Sequence, residues 1–258
     1  MGSLQNKNLI IAGGTGGMGL SAARAFIKEG ASLLIIGRDE SKIEQLQKEF
    51  GDKALFLQGD IASEAVATEM IKMAREHWTT IDGLYHVAGG SGRKWGDGPV
   101  HEIIMEGWEK TLQLNLTSVM LTNRAVLQYW LEAKRGGTIL NMSSVLGYSP
   151  SPEFFSTHTY AAAKAAIIGF SRSAAAYYAK NNIRINVIAP ALVETPMAQR
   201  AAGNEAIMAF IKDKQPLDGG RIGQPEDLDG LATFFMSDAS AFVTGQVVGV
   251  DGGWGVVG

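Results

Sequence analysis

Seven short apolar runs, each leading through a turn into a helical pattern, restrict this chain to a small set of folds. The runs are Leu9–Ala12, Leu33–Ile36, Ala54–Leu57, Leu84–Val87, Thr138–Met142, Ile185–Ile188 and Val247–Val250. Between the third and fourth, Val66, Met70, Met73 and Ala74 follow the i, i+4, i+7, i+8 template of an amphipathic helix. Short, nearly continuous apolar strands separated by helices predict a parallel sheet covered on both faces. A chain of 258 residues can bury such a sheet as one α/β domain, doubly wound and seven-stranded, over residues 1–258. The Gly-rich stretch Gly89–Pro99 reads as a loop within that domain, because the strand–helix rhythm resumes after it.

The first strand runs into Gly13-Gly14-Thr15-Gly16-Gly17-Met18-Gly19, and a helix is predicted from about Leu20 to Glu29. Glycines there let the backbone turn tightly and approach a diphosphate, whose charge sits against the free N–H groups of the helix start. With its strand and helix in place, this loop marks a Rossmann-type dinucleotide site. An NAD enzyme is expected to hold the adenosine ribose hydroxyls with an acid at the end of the second strand. Gly37 stands there instead, followed by Arg38, which could hold a 2′-phosphate or pair with Asp39 or Glu40 at the surface. Asp60 ends the third strand and could accept from the adenine amino group or cap the following helix.

Further along, Tyr160 and Lys164 lie four residues apart at the start of an Ala-rich helical run, so both emerge on one face. A phenol, with a pKa near ~10, is a poor acid or base at neutral pH. An ammonium beside it should lower that value towards the working range. A helix predicted from Glu106 to Ala133 is apolar on a broad face, from Leu112 to Trp130, with Leu114, Leu121, Ala125 and Leu131 outside the main stripe. This excess suggests burial against a second subunit. Asn115 interrupts the helix with an amide that needs partners if buried.

Composition excludes several classes. A net charge of −3 offers no basic surplus for nucleic acid or an anionic membrane. Zero cysteines rule out disulfides, thiol nucleophiles and thiolate metal sites, and fit a cytoplasmic location. No secretory signal or membrane span is expected. His77, His86, His101 and His158 lack metal-ligand spacing, so no metal is expected either.

Together these residues resemble the short-chain dehydrogenase/reductase family over nearly the whole chain. Its Thr-Gly-x-x-x-Gly-x-Gly loop matches Ala12 to Gly19, with Ala for the first Thr; its Tyr-x-x-x-Lys is Tyr160 and Lys164. Its helix Asn corresponds to Asn115, and its catalytic Ser to Ser144, chosen over Ser143 from the Val145-Leu146-Gly147 that follows. Asn186 to Ala191 resembles Asn-x-x-x-Pro-Gly, and the segments Gly223–Leu228 and Thr244–Gly253 resemble the C-terminal signature. In place of Asn-Asn-Ala-Gly the chain has His86-Val87-Ala88-Gly89, which removes amides that brace the fourth strand, and the loop between Ser144 and Tyr160 is longer than usual.

The resemblance implies hydride transfer between NADP(H), or alternatively NAD(H), and a small-molecule carbonyl or secondary alcohol. Tyr160 is then the acid/base, Lys164 its partner and a ligand of the nicotinamide ribose, and Ser144 the donor to the substrate oxygen. Asn115 holds a water linking Lys164 to solvent, while Val193 and Thr195 fix the carboxamide. Met18, Ile61, Ala88, Gly89 and Pro190 complete the cofactor contacts. A homotetramer is implied, and residues 195–220 read as a substrate lid. Trp95, Tyr148, Phe154, Phe155, Leu192 and Met197 are candidate pocket walls; Arg93 and Lys94 could grip an anion or belong to a solvated loop. The alternatives are a nucleotide-binding sensor or scaffold without turnover, and an epimerase or lyase using bound NAD(P) transiently.

Overall fold

The computed structural model describes residues 2–257. Its strands are β1 (Asn8–Ala12), β2 (Ser32–Gly37), β3 (Ala54–Gln58), β4 (Gly83–His86), β5 (Gly137–Met142), β6 (Ile183–Pro190) and β7 (Val247–Val250). Each covers one of the apolar runs, with ends shifted by a residue or two. They form one sheet in the order β3-β2-β1-β4-β5-β6-β7, and every neighbouring pair is parallel.

The helices are α1 (Gly17–Lys28), α2 (Glu40–Phe50), α3 (Glu64–His77), α4 (Met105–Leu112), α5 (Ser118–Glu132), α6 (His158–Tyr178), α7 (Gln199–Ala202), α8 (Glu205–Lys214) and α9 (Asp229–Met236). Successive strand residues point to opposite faces, and over the central strands both faces are buried, while the edge strands β3 and β7 are partly exposed. Leu33 and Ile35 of β2 pack with Phe26 of α1 and Phe235 of α9. Leu34 and Ile36 pack on the other side with Met70 of α3 and Trp130 of α5. This is why the strands read as continuous apolar runs. Among the described residues, no helix is long and apolar enough to cross a membrane.

Strand order positions the site. The chain winds from β1 outward to β3, then returns to lay β4 on the other side of β1. At that reversal the connections leaving β1 and β4 diverge and open a crevice at the carboxyl end of the sheet. The crevice is pinned by backbone bonds: Gly13 N–H donates to Ile36 C=O, and the Val87 and Ala88 N–H groups both donate to Ala12 C=O, each at 2.9 Å.

Two expectations change. Helix α1 begins at Gly17, three residues before the predicted start at Leu20, so Met18 and Gly19 form its first turn. The single helix expected over Glu106–Ala133 is α4 and α5 joined by a π turn at Gln113–Thr117. Much of its apolar excess is buried within the subunit: Val119, Leu121, Leu127 and Trp130 all lie in the interior, while Ile104, Met105, Trp108 and Leu131 remain exposed.

Trp130 is fully buried, and its indole Nε1 donates to Ile81 C=O at 2.8 Å. Trp130→Ala removes both the ring and this tie, and should lower the unfolding free energy by about 3–5 kcal/mol. Urea denaturation checks this: a shift under ~1 kcal/mol would place the ring outside the cooperative core.

Candidate active site

The crevice is a groove of ≈ 300 Å³ along the carboxyl ends of β1 to β4. Its floor is the loop into α1, where Gly13, Thr15, Gly16, Gly17 and Met18 all face it. Gly13 has φ +90, and a Cβ there would lie 2.7 Å from Ala88 N, so only glycine lets the β1 and β4 loops meet this closely. At Gly16 a Cβ would meet nothing within 4 Å, so the backbone presents itself bare to the groove. Gly16 also caps α1 with no side-chain hydrogen bond, and no acid stands in the first turn. The helix start therefore faces the groove with uncompensated N–H groups, the arrangement that suits a diphosphate. Gly19 does not line the groove; a Cβ there would lie 2.2 Å from Gly13 C=O, so its part is close helix–loop packing.

At the adenosine end, Arg38, Asp60 and Ile61 line the groove. A Cβ at Gly37 would lie 2.3 Å from Thr15 Cγ2 and 2.9 Å from its Cβ, so a carboxylate cannot be built at this position without displacing the loop. Asp39 is occupied as the cap of α2, accepting from Lys42 N–H at 3.2 Å and from Ser41 Oγ at 2.8 Å. Among the described residues Arg38 has no ion pair with Asp39 or Glu40; Asp39 instead stands 3.8 Å from Lys42 Nζ. Asp60 is not the cap of α3, a place taken by Ser63. Its Oδ1 accepts from Ala62 N–H at 3.0 Å in a turn at the groove's edge. At the opposite end Ala88, Gly89 and Thr195 face the groove, and so do Leu114 and Pro196, which sequence reasoning missed because neither has a chemical signature. Val193 and Pro190 lie behind this wall, Val193 bridging to Gly223 and Pro190 paired with Val250.

The polar cluster lies where β4, β5 and α6 converge. Lys164 is only 2% exposed, and its Nζ donates to Met142 C=O at 3.0 Å. Burial lowers its pKa to about 8. Nζ stands 5.5 Å from the Tyr160 ring centroid. Burial pushes the Tyr160 phenol up to about 12, opposed by a hydrogen bond with Ser144. The net shift of the phenol is thus upward: desolvation outweighs the hydrogen bond with Ser144, and the ammonium is turned towards a carbonyl. Ser144 Oγ also accepts from Leu146 N–H at 3.3 Å and lies 3.4 Å from Pro190 C=O. Ser143 is committed elsewhere, donating to Lys164 C=O at 2.7 Å and tying β5 to α6.

Asn115 sits in the π turn and is fully buried. The widened turn lets its Nδ2 reach Thr111 C=O and Gly90 C=O, both at 2.9 Å, while Oδ1 accepts from Gly90 N–H at 3.0 Å. A Cβ at Gly89 would lie 2.9 Å from Asn115 Oδ1 and 3.2 Å from Lys164 Nζ, so the three converge. His86 supplies the bracing that its unusual motif put in doubt. It is fully buried, with Nδ1 2.8 Å from Thr122 Oγ1 and Nε2 3.3 Å from Ser118 Oγ. Burial and the nearby Lys164 ammonium lower its pKa to about 3, so the ring is neutral at pH 7. Ser118 Oγ donates to Leu114 C=O at 2.6 Å, so the end of β4 is tied through this pair to the turn holding Asn115.

Asp97, in the loop after β4, was missed by sequence reasoning. Thr157 caps α6 without a side-chain hydrogen bond. Instead Asp97, nearly buried, accepts from Thr159 N–H at 2.9 Å and from Tyr160 N–H at 3.0 Å. It fixes the backbone on which the phenol stands. Its signal, an Asp between Gly96 and Gly98, looks like any turn.

Comparison with known proteins agrees with this geometry. Residues 12–255 match the family model described as enoyl-(acyl carrier protein) reductase. The chain is 33% identical over 256 residues to a 3-oxoacyl-(acyl-carrier-protein) reductase of Chlamydia trachomatis, covering 98% of each. It is 30% identical to the cis-4-hydroxycyclohexanecarboxylate dehydrogenase of Sinomonas cyclohexanicum, covering 96% of each. A solved gluconate 5-dehydrogenase from Burkholderia cenocepacia, in complex with NADP and tartrate, superposes with a TM-score of 0.90 at 29% identity, covering 99% of this chain and 97% of that one. The chain belongs to the short-chain dehydrogenase/reductase family. It is an NAD(P)-dependent oxidoreductase.

Asp97→Ala strips two backbone N–H groups of a charged acceptor, a loss of about 1.5–3 kcal/mol for each such bond. Activity should fall at least ten-fold while cofactor affinity stays within a few-fold, and Asp97→Asn, which keeps one acceptor, should fall between. Steady-state kinetics beside cofactor titration checks this; an Asp97→Ala variant of normal kcat would refute the positioning role.

Proposed function

We propose that the protein uses NADP(H) in preference to NAD(H), with Tyr160 as the acid that protonates the substrate oxygen. The observation that carries the catalytic half is the cluster of Tyr160, Ser144, Lys164 and Asn115, which reaches the groove through Gly89 in its lining. The hydride comes from the nicotinamide cofactor when it is bound. Ser144 Oγ donates to the substrate oxygen and stabilises the negative charge that develops on it. Tyr160 Oη gives that oxygen its proton, or takes one from an alcohol in the reverse direction. The phenol is held protonated well above neutral pH, which is the form that reduction uses. Lys164 places a positive charge behind the phenol, and Asn115 holds the Gly89-Gly90 backbone against which the cofactor's reacting end would rest. Thr195 and the Val193 backbone would orient its carboxamide.

The cofactor preference rests on Gly37 and Arg38. The space at Gly37 excludes the acid that would accept from a ribose diol, and Arg38 offers a planar donor fork to a 2′-phosphate. The segment 195–220 serves as a lid: Ile207 and Ile211 of α8 pack on Trp254 and Val145, while Met197 faces the groove. The exposed Ile104, Met105 and Trp108 of the α4 region support assembly as a homotetramer, which light scattering reads directly against a monomer mass of 27.5 kDa.

Titration with both cofactors tests the preference. NADPH should bind about ten-fold or more tighter than NADH, from a charge-assisted bond worth about 1.5–3 kcal/mol. Arg38→Ala should bring the ratio close to one by weakening NADPH alone. Equal affinities in the wild type, or a ratio unmoved by the substitution, would place Arg38 outside the site.

A further inference from the structure

Arg93 and Arg200 reach one backbone carbonyl from two different segments. Arg93 lies in the short helical turn Arg93–Trp95 after β4, and Arg200 lies on α7. Both donate through Nη2 to Phe154 C=O, at 3.2 Å and 3.4 Å. That carbonyl is held in place, since the Phe154 ring packs against Phe210 with centroids 5.3 Å apart. Arg24, Arg75, Arg124, Arg135 and Arg221 each have a carboxylate partner. Among the described residues, Arg93 and Arg200 have none, nor do Arg38, Arg172 and Arg184, but only these two share one acceptor. The nearby acid Asp97 has both oxygens on the N–H groups of Thr159 and Tyr160. Both side chains are exposed, yet two guanidinium groups sharing a single neutral acceptor repel each other, and partial desolvation followed by Arg200 lowers the Arg93 pKa. Each keeps further N–H donors beyond the one spent on Phe154.

Neighbours in the chain set the pair beside the site, although neither arginine joins the lining of the groove. Arg93 follows Gly89 and Gly90, which meet Lys164 and Asn115. Phe154 lies between Ser144 and Tyr160, and Arg200 follows Met197, which lines the groove. We propose that Arg93 and Arg200 form a grip for an anionic group, a carboxylate or a phosphate, carried by the substrate away from the carbonyl that faces Tyr160. An anion there would relieve the repulsion, use the remaining donors in the fork geometry suited to both groups, and set the distance to the reacting carbon. This rests on the assignment of Tyr160 as the proton donor.

Calorimetric titration of the NADP-saturated protein tests the grip without requiring turnover. One arm compares straight-chain oxo-carboxylates of four to eight carbons with their methyl esters; the other compares dihydroxyacetone phosphate with dihydroxyacetone. The anion should bind at least ten-fold tighter than its neutral mate in one arm, which then names the group. Arg93→Ala and Arg200→Ala should each cut that ratio at least five-fold while leaving NADP affinity unchanged. No anion preference in either arm, or a preference that survives both substitutions, overturns the proposal. NADPH oxidation by the same compounds is read alongside. Anion-selective binding without any oxidation would contradict the reductase assignment and leave the grip standing; oxidation without charge preference would do the reverse.

Discussion

Taking the Lys164 ammonium out of water is unfavourable by several kcal/mol unless the surroundings replace its hydration. The structure supplies one direct acceptor, Met142 C=O at the end of β5, and leaves the rest of the environment to be arranged around the charge. Much of the site can be read as that arrangement. Gly89 carries no side chain where one would press on Nζ, and Asn115 turns its amide to the adjacent backbone. His86 stays neutral next to the charge, held by Thr122 and Ser118. The consequence is an ammonium whose pKa is brought to about 8, so that its charge is present at neutral pH but weakly held.

The phenol is prepared differently. Tyr160 is shielded enough to remain protonated, and its position follows from Asp97, which sits on another loop and binds the backbone rather than the side chain. The acid and the cation are therefore anchored by separate segments, one by the β4–α4 loop and the other by the end of β5. Both segments leave the carboxyl end of the sheet beside the strand-order reversal, and the groove formed there has the bare N–H groups of α1 along its floor. The fold thus sets a helix start with bare N–H groups along this groove and the Tyr160–Ser144–Lys164 cluster beside it, the two parts that the proposed reaction needs.

The fold was legible in the sequence because a sheet buried on both faces must write itself as apolar runs, and all seven did. Tyr160, Lys164 and the glycine loop were legible because their chemistry depends on fixed local spacing. What was hidden depended on contacts between distant segments. The π turn was hidden because the whole stretch was read as one continuous helix, and nothing local marks the point where the wider turn shifts the helical phase. Asp97 acts across 62 residues on Thr159, and nothing local distinguishes it from a turn residue. The net direction of the Tyr160 shift was hidden for a similar reason. Spacing places the two side chains on one face, but desolvation, set by the whole surrounding shell, decided the direction of the shift. Conversely, the bracing placed in doubt by His86-Val87 is present, because an imidazole can reach two hydroxyls on α5 where an amide would make other bonds.

The most direct test of this account is the pH dependence of kcat/KM for carbonyl reduction between pH 6 and 10, measured for the wild type and for Tyr160→Phe at saturating NADPH. Burial lowers the Lys164 pKa, so its charged form exists below that value and disappears as pH rises through it, while the phenol keeps its proton throughout. The wild-type rate should be level at pH 6–7 and decline as pH passes about 8, and Tyr160→Phe should bind NADPH within a few-fold of normal yet turn over below a tenth of the wild-type rate. A wild-type rate that climbs through that region, or a Tyr160→Phe variant that keeps its turnover, would contradict a buried phenol acting as the acid beside a charged Lys164.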